Sequence, residues 1–242
     1  RITQRFRHIP QDDMATLFHH PLDPHSRFVR LIIGELQMDA ELTEENVFER
    51  RREFLALNPA GTIPVLVEHD GQVIPGAMVI AEYLDETRGL VLGDRRLLPE
   101  DPAGRVEVRR LLNWFHVKFY MEVVEPLLNE KLFKRMNGNG LAAAPDPVIL
   151  RAARNNLRYH LQYLGHILTQ HNWLGGERLS YADLAAAAQL SAIDYLGEVD
   201  WVADETAKHW YAKMKSRPAF RPLLVDRIRG MPPATHYTDL DF

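Results

Sequence analysis

The sequence predicts an α/β domain followed by an all-helical domain, on three observations. Short apolar, β-branched runs alternate with helical periodicity as far as Thr87. A stretch from Leu90 to Pro102 carrying Gly93, Pro99 and Pro102 then breaks the pattern. Beyond it every periodic segment follows the helical repeat, which fits an α+β or α/β unit joined to an all-α unit. At 242 residues the chain is long enough to bury a sizeable core and to divide into two domains.

The elements follow in order. Residues 1–13, RITQRFRHIPQDD, show no clear period and precede an internal Met14, so they are read as an extension before the first domain. Ala15 to Phe18 is a first strand. After the loop His19 to His25, Ser26 opens a helix, as N-cap or first-turn residue, with Phe28, Val29, Leu31, Ile32, Ile33 and Leu36 apolar. Alternation from Ala40 to Val47 predicts a second strand, and Arg50 to Leu55 a charged helix that stops before Pro59. Val65–Glu68 and Gln72–Ile74 flank His69-Asp70-Gly71, a hairpin with Asp-Gly at its turn. A helix over Ala77 to Thr87 completes the order β-α-β-α-β-β-α, that of a thioredoxin-like domain.

In the second half, a long helix from about Ala103 to Arg135 carries Val106, Leu111, Trp114, Phe115, Phe119 and Val123 on an apolar stripe. Pro126 is expected to kink it, and Asn137-Gly138-Asn139-Gly140 to end it. A second helix spans Asp146 to Gln170. Ser180 with Asp183 predicts reciprocal capping of the helix that follows, a folding device without chemistry. Helices near Glu205–Ser216 and Ala219–Arg229 finish the domain. The predicted boundaries are 1–13 (extension), 14–89 (α/β domain), 90–102 (linker), 103–229 (helical domain) and 230–242 (tail).

Composition excludes several function classes. Hydrophobic content of 46% with 26% charged residues is that of a globular chain, and a net charge of −4 gives no long-range attraction to nucleic acid or anionic membrane. With no cysteine there is no disulfide, thiolate metal site or cysteine nucleophile, and the expected location is cytoplasmic. No apolar run is long enough to insert directly in a membrane. His19, His20 and His25 share a loop, but no carboxylate or cysteine framework surrounds them, so no metal is expected.

Asn58-Pro59-Ala60-Gly61-Thr62-Ile63-Pro64-Val65-Leu66 is the most informative stretch. Pro64 cannot donate to a ladder and belongs at a strand's first residue, where a cis bond leaves Ile63 as an unpaired edge able to bind another extended chain. This N-P-x-G-x-[IV]-P-x-L segment, with the later W-L-G-G and S-x-A-D box, resembles the glutathione-transferase family over about Ala15 to Arg229. The resemblance implies a cis proline whose loop holds the cysteinyl backbone of glutathione. It also implies an acidic residue plus Ser or Thr at the start of the third helix as the γ-glutamyl anchor, and a hydroxyl or thiol in the first loop facing the sulfur. Here the anchor pair falls on Gly76 and Ala77, neither of which has a side chain able to hydrogen-bond. The hydroxyl position falls on Asp23, beside His25, and Ser26 is the hydroxyl close by. The cleft residues expected are thus Asp23, His25, Ile63, Pro64, Gly76 and Ala77.

Two functional expectations follow. SRFVRLIIGEL, the Gly76–Ala77 replacement, VVEPLLNEKLFKRM and YTDLDF resemble a branch of the family that acts in alphaproteobacterial cell division. That resemblance implies a dimeric, non-enzymatic protein at the division site that needs no cofactor, binds FtsZ polymer and couples it to septal cell-wall synthesis. Tyr120, Met121, Glu122 and Glu125 are expected to face the cleft. Glu130, Lys131, Phe133, Lys134 and Arg135 are expected to form a contact surface. The tail Asp239, Leu240, Asp241 and Phe242 either docks on its own domain or meets a partner, septal synthesis proteins included. The alternative is a glutathione-dependent transferase or peroxidase using Ser26.

Overall fold

The structure, a computed structural model, describes residues 14–137, 144–240 and 242. The extension 1–13, the glycines after Asn137, and Asp241 lie outside the described residues.

Among the described residues four strands form one mixed sheet in the order β2-β1-β3-β4. β1 (Ala15–His19) is central and alternates buried and half-buried side chains, as a strand covered mainly on one face must. It runs parallel to β2 (Ala40–Glu44) and antiparallel to β3 (Val65–Val67), which pairs with β4 (Val73–Pro75) through the expected hairpin. Gly71, at φ +86°, supplies the left-handed turn position that Asp-Gly announces. The second strand stops three residues short of Val47, because Asn46 caps a 3-10 turn over Val47–Glu49 by accepting the Phe48 N–H. The charged helix α2 starts only at Arg52 and runs to Leu57.

Helix α1 (Pro24–Glu35) is capped by Asp23, whose carboxylate accepts the Ser26 N–H at 2.6 Å. Ser26 is therefore a first-turn residue and not the cap, and Pro24 occupies the opening position that its fixed φ suits. Helix α3 spans Ala77–Arg88.

The long helix begins as α4 (Pro102–Asn113), but its path then changes register. Trp114–Val124 is π-helical, α5 covers Glu125–Leu128, Asn129–Phe133 is π-helical again, and α6 covers Lys134–Asn137. Pro126 sits in the opening turn of α5, so the wider i→i+5 pattern before it absorbs the missing N–H. The expected stripe is also rotated at its start: Val106 is 67% exposed, while Val108, Leu111, Leu112, Phe115 and Phe119 turn inward. Helix α7 (Pro147–Leu168) is capped by Asp146. Every residue of α8 (Tyr181–Tyr195) is buried. Helix α9 covers Glu205–Lys215. The expected last helix shrinks to a 3-10 turn at Pro218–Phe220 and α10 (Arg221–Leu224). It ends early because Asp226 turns inward to pair with Arg30 at 2.8 Å, and the Ile228 N–H donates to the Tyr195 hydroxyl at 3.0 Å.

One apolar core runs through both halves, with α1 packed against α8. Buried polar contacts join the halves. Arg27 is fully buried and donates to Pro21 O (2.7 Å), Ser191 Oγ (2.8 Å) and Tyr237 Oη (3.0 Å). Tyr181 Oη donates to Ala81 O on α3 at 3.1 Å. No helix of the described residues is long and apolar enough to cross a membrane.

Candidate functional site

Between the sheet domain and the π-helical stretch lies a cleft of about 430 Å³. Its floor is the start of α1, one wall is the Gly61–Ile63 loop with the start of α3, and the other is Phe48, Tyr120 and Phe133. The Ile63–Pro64 bond is cis. Pro64 O accepts the Gly76 N–H at 2.9 Å, while no hydrogen bond among the described residues uses the Ile63 N–H or C=O. Pro64 itself is buried beneath the wall; Ile63 stands on it.

Gly76 and Ala77 both line the cleft, at the opening of α3, which has no side-chain cap. A Cβ on Gly76 would meet nothing within 4 Å, yet its φ of +93° is one that L side chains seldom adopt. The N–H groups of the first turn thus face the cleft with backbone alone to offer an anion.

At the other end Asp23, already engaged as the α1 cap, lies 3.8 Å from His25 Nδ1. Burial works to raise the Asp23 pKa, but hydrogen bonds from His25 and Ser26 outweigh it and hold the carboxyl below its ordinary value. The converse applies to His25, where the hydrogen bond and charge of Asp23 overcome burial and raise the imidazole. His25 stacks on His116 at 5.0 Å and meets the edge of Tyr120 at 4.7 Å. Burial drives His116 well below its usual pKa and raises the Tyr120 phenol, so both are neutral near pH 7. Among the described residues that line the cleft none is Lys or Arg. A ligand bearing two carboxylates therefore meets the carboxylates of Asp23 and Glu45, with only the imidazoles of His20 and His25 to set against them. The Ser26 hydroxyl is fully buried, takes the His20 N–H at 3.5 Å, and does not reach the wall. The residues present do not fit the tripeptide.

Other predicted residues are placed as follows. Glu125 is half-buried near His25 and Tyr120, and its charge raises both pKa values. Glu122 turns away from the cleft to Lys118 and to His160 Nε2 (2.9 Å), and Met121 is exposed outside it. The expected contact surface at the helix end is largely self-satisfied. Glu130 is buried, accepts the Asp146 N–H at 2.7 Å and pairs with Lys134, while Lys131 pairs with Glu198. Those charges fasten the helix end to its own domain. Phe133 alone of that run lines the cleft, with Phe48 edge-on at 5.5 Å, and Arg135 is exposed.

The histidines diverge. Burial lowers the His19 pKa to about 4, and His20 Nδ1 accepts the Leu22 N–H at 3.2 Å. Among the described residues no three metal-ligating side chains converge. In the tail, Asp239 O accepts from Lys215, Leu240 is exposed, and the Phe242 ring rests edge-on against Trp201 at 5.4 Å.

Sequence reasoning missed Phe48 and His116. An aromatic in an acidic loop and a histidine four residues before Tyr120 were the available signals, but only the fold brings Phe48 to the cleft and His116 behind its His25. A larger cavity of about 620 Å³ lies at the linker near Arg96 and Arg178, far from these groups. Its arginines are occupied, by Asp85 and by Asp94 O.

Comparison with known proteins adds the following. The family model for the glutathione S-transferase N-terminal domain matches residues 17–92, and that for the C-terminal domain matches residues 150–224. FtsZ-localized protein A of Caulobacter vibrioides is 49% identical over 230 residues, which is 94% of this chain and 98% of that protein. Among solved structures, a glutathione S-transferase from Sinorhizobium meliloti 1021 is 53% identical with a TM-score of 0.91, covering 95% of this chain and all of that one. FzlA from C. crescentus is 48% identical with a TM-score of 0.89 and the same coverage.

Proposed function

Because the chain belongs to the glutathione S-transferase family, we propose that it uses this fold as a division-related binding protein and not as a transferase. Its relatives carry both kinds of name, and the cleft supports the first reading. The observation that carries the reading is the bare start of α3. Gly76 and Ala77 offer no hydrogen-bonding side chain to an acid, no Lys or Arg among the described residues lines the cleft, and the Ser26 hydroxyl is buried. No cofactor is needed for such a role.

The partner proposed is FtsZ polymer, as the name of the Caulobacter relative suggests. An extended segment of it pairs with the free Ile63 edge and seats an apolar side chain against Phe48, Tyr120 and Phe133. Met78 and Val79 on α3 and Val106 on α4 leave apolar side chains exposed on elements joined by the Arg109–Glu82 ion pair. That surface supports a homodimer, which presents two equivalent clefts to a filament and gains avidity without new contacts. The protein then works in the cytoplasm at the division site, with coupling to septal cell-wall synthesis as the outcome.

Co-sedimentation with polymerised FtsZ tests this reading. The protein is expected to pellet with polymer at micromolar concentration and to be lost from the pellet on Phe48→Ala. Titration calorimetry with glutathione is expected to give no binding heat. A protein that stays in the supernatant and binds glutathione overturns the reading.

A further inference from the structure

Away from the cleft, the end of the chain is held in two unequal ways. Up to Tyr237 it is built into the core. Ala234 N donates to Tyr195 O at 2.9 Å, and Tyr237, fully buried, accepts from Arg27 and donates to Leu223 O at 3.0 Å. Beyond Tyr237 the contacts thin. Leu240 is 44% exposed, and the segment is held by one backbone turn, Asp239 N–H to His236 O at 3.0 Å, by the ammonium groups of Lys215 and Lys208, and by the Phe242 ring. Lys215 Nζ donates to His236 O and Asp239 O and stands 4.1 Å from the centre of the Phe242 ring. The ring fills a socket whose base is Trp201 stacked on Tyr211 at 4.4 Å.

His236 sits where the two zones meet. Its Nε2 lies 2.9 Å from Asp194 Oδ1, and its side chain is 33% exposed. The Asp194 carboxylate, fully buried, also takes the Trp201 indole N–H (2.8 Å) and the Tyr211 hydroxyl (3.2 Å). The same carboxylate therefore sets both rings of the socket and grips the imidazole that leads into the tail.

We infer that the segment carrying Asp239, Leu240 and Phe242 is a proton-sensitive clasp, closed over the Trp201–Tyr211–Lys215 socket while His236 is charged and released when it is neutral. The charged groups around the imidazole are Asp194 on α8, Lys215 on α9 and Asp239 in the tail itself. The hydrogen bond and charge of Asp194 raise the His236 pKa against burial and Lys215. A raised pKa fixes the sign. The pair's contribution to closure is complete below the ordinary histidine value and is lost as pH rises through the higher, closed-state value. Release bares an aromatic and cationic socket on one side and the Phe242 ring on the other. This inference is independent of the partner proposed for the cleft.

The absence of cysteine makes the test direct. Leu240→Cys provides a unique attachment point for bimane, whose emission is quenched by a tryptophan in contact range. In the full chain, emission is expected to be low at about pH 5.5 and to rise toward about pH 8.5 as the clasp opens. His236→Gln is expected to hold emission high throughout, with unchanged far-UV circular dichroism. Trp201→Phe removes the quencher and is expected to abolish the low-pH dip. Emission that is flat with pH in the labelled parent, or a His236→Gln protein that titrates as the parent does, overturns the clasp. Quenching that survives Trp201→Phe overturns it as well.

Discussion

Two helix starts in this molecule meet the same physical demand in opposite ways. The first turn of any helix leaves N–H groups without intrahelical partners. At α8 the chain answers with its own side chains. Ser180 Oγ accepts the Ala182 N–H, and Asp183 accepts the Ser180 N–H at 3.0 Å, the Leu174 N–H at 2.9 Å and the Trp210 indole at 3.0 Å. At α3 nothing answers: Gly76 and Ala77 leave the turn open to the cleft. A closed start under a buried helix serves folding. An open start on a cleft wall leaves its N–H groups to whatever occupies the cleft.

The contrast is open to challenge by substitution. Asp183→Ala is the severest change, because it strands several buried donors together; a loss of about 4 kcal/mol in urea unfolding is expected. A loss below about 1 kcal/mol would break the claim that this start is a folding device. Ser180→Ala removes one cap hydrogen bond and is expected to cost about 1 kcal/mol, read as a shift of the urea midpoint at constant slope. Ala77→Ser sharpens the other side, with stability expected to stay within about 0.5 kcal/mol. Adding Gly76→Glu to it restores an acid-and-hydroxyl pair, and calorimetry is then expected to register glutathione where the parent registers none. If the pair restores nothing, the carboxylate of Asp23, and not the bare helix, is what turns the tripeptide away.

Both starts were legible in the sequence, since each depends on residues within three or four positions of one another. The same is true of the hairpin at Asp70-Gly71 and of the periodic helices α1 and α7. Ser26 was read as N-cap or first-turn residue of α1, and Asp23 followed by Pro24 was the local signal that decides for the first turn. The π-helical stretches were not legible. Nothing in the periodicity of Trp114–Val124 distinguishes a register of five from one of four until Pro126 is placed in three dimensions. Nor was it legible that Glu130 and Lys131, in the run Glu130–Arg135, engage Asp146 and Glu198, partners from outside the run. Phe48 reaches the cleft from one domain and His116 backs its His25 from the other, and local pattern carries no information about such meetings.

Arg27 and Arg30 sit early in the chain, and the carboxylate that neutralises both, Asp226, follows almost two hundred residues later. During translation at typical rates, α1 waits roughly 10–40 s with two guanidinium groups whose carboxylate partner has yet to be made. The ion pairs of this first helix close only when Asp226 arrives, so the native contacts of the two halves are completed together.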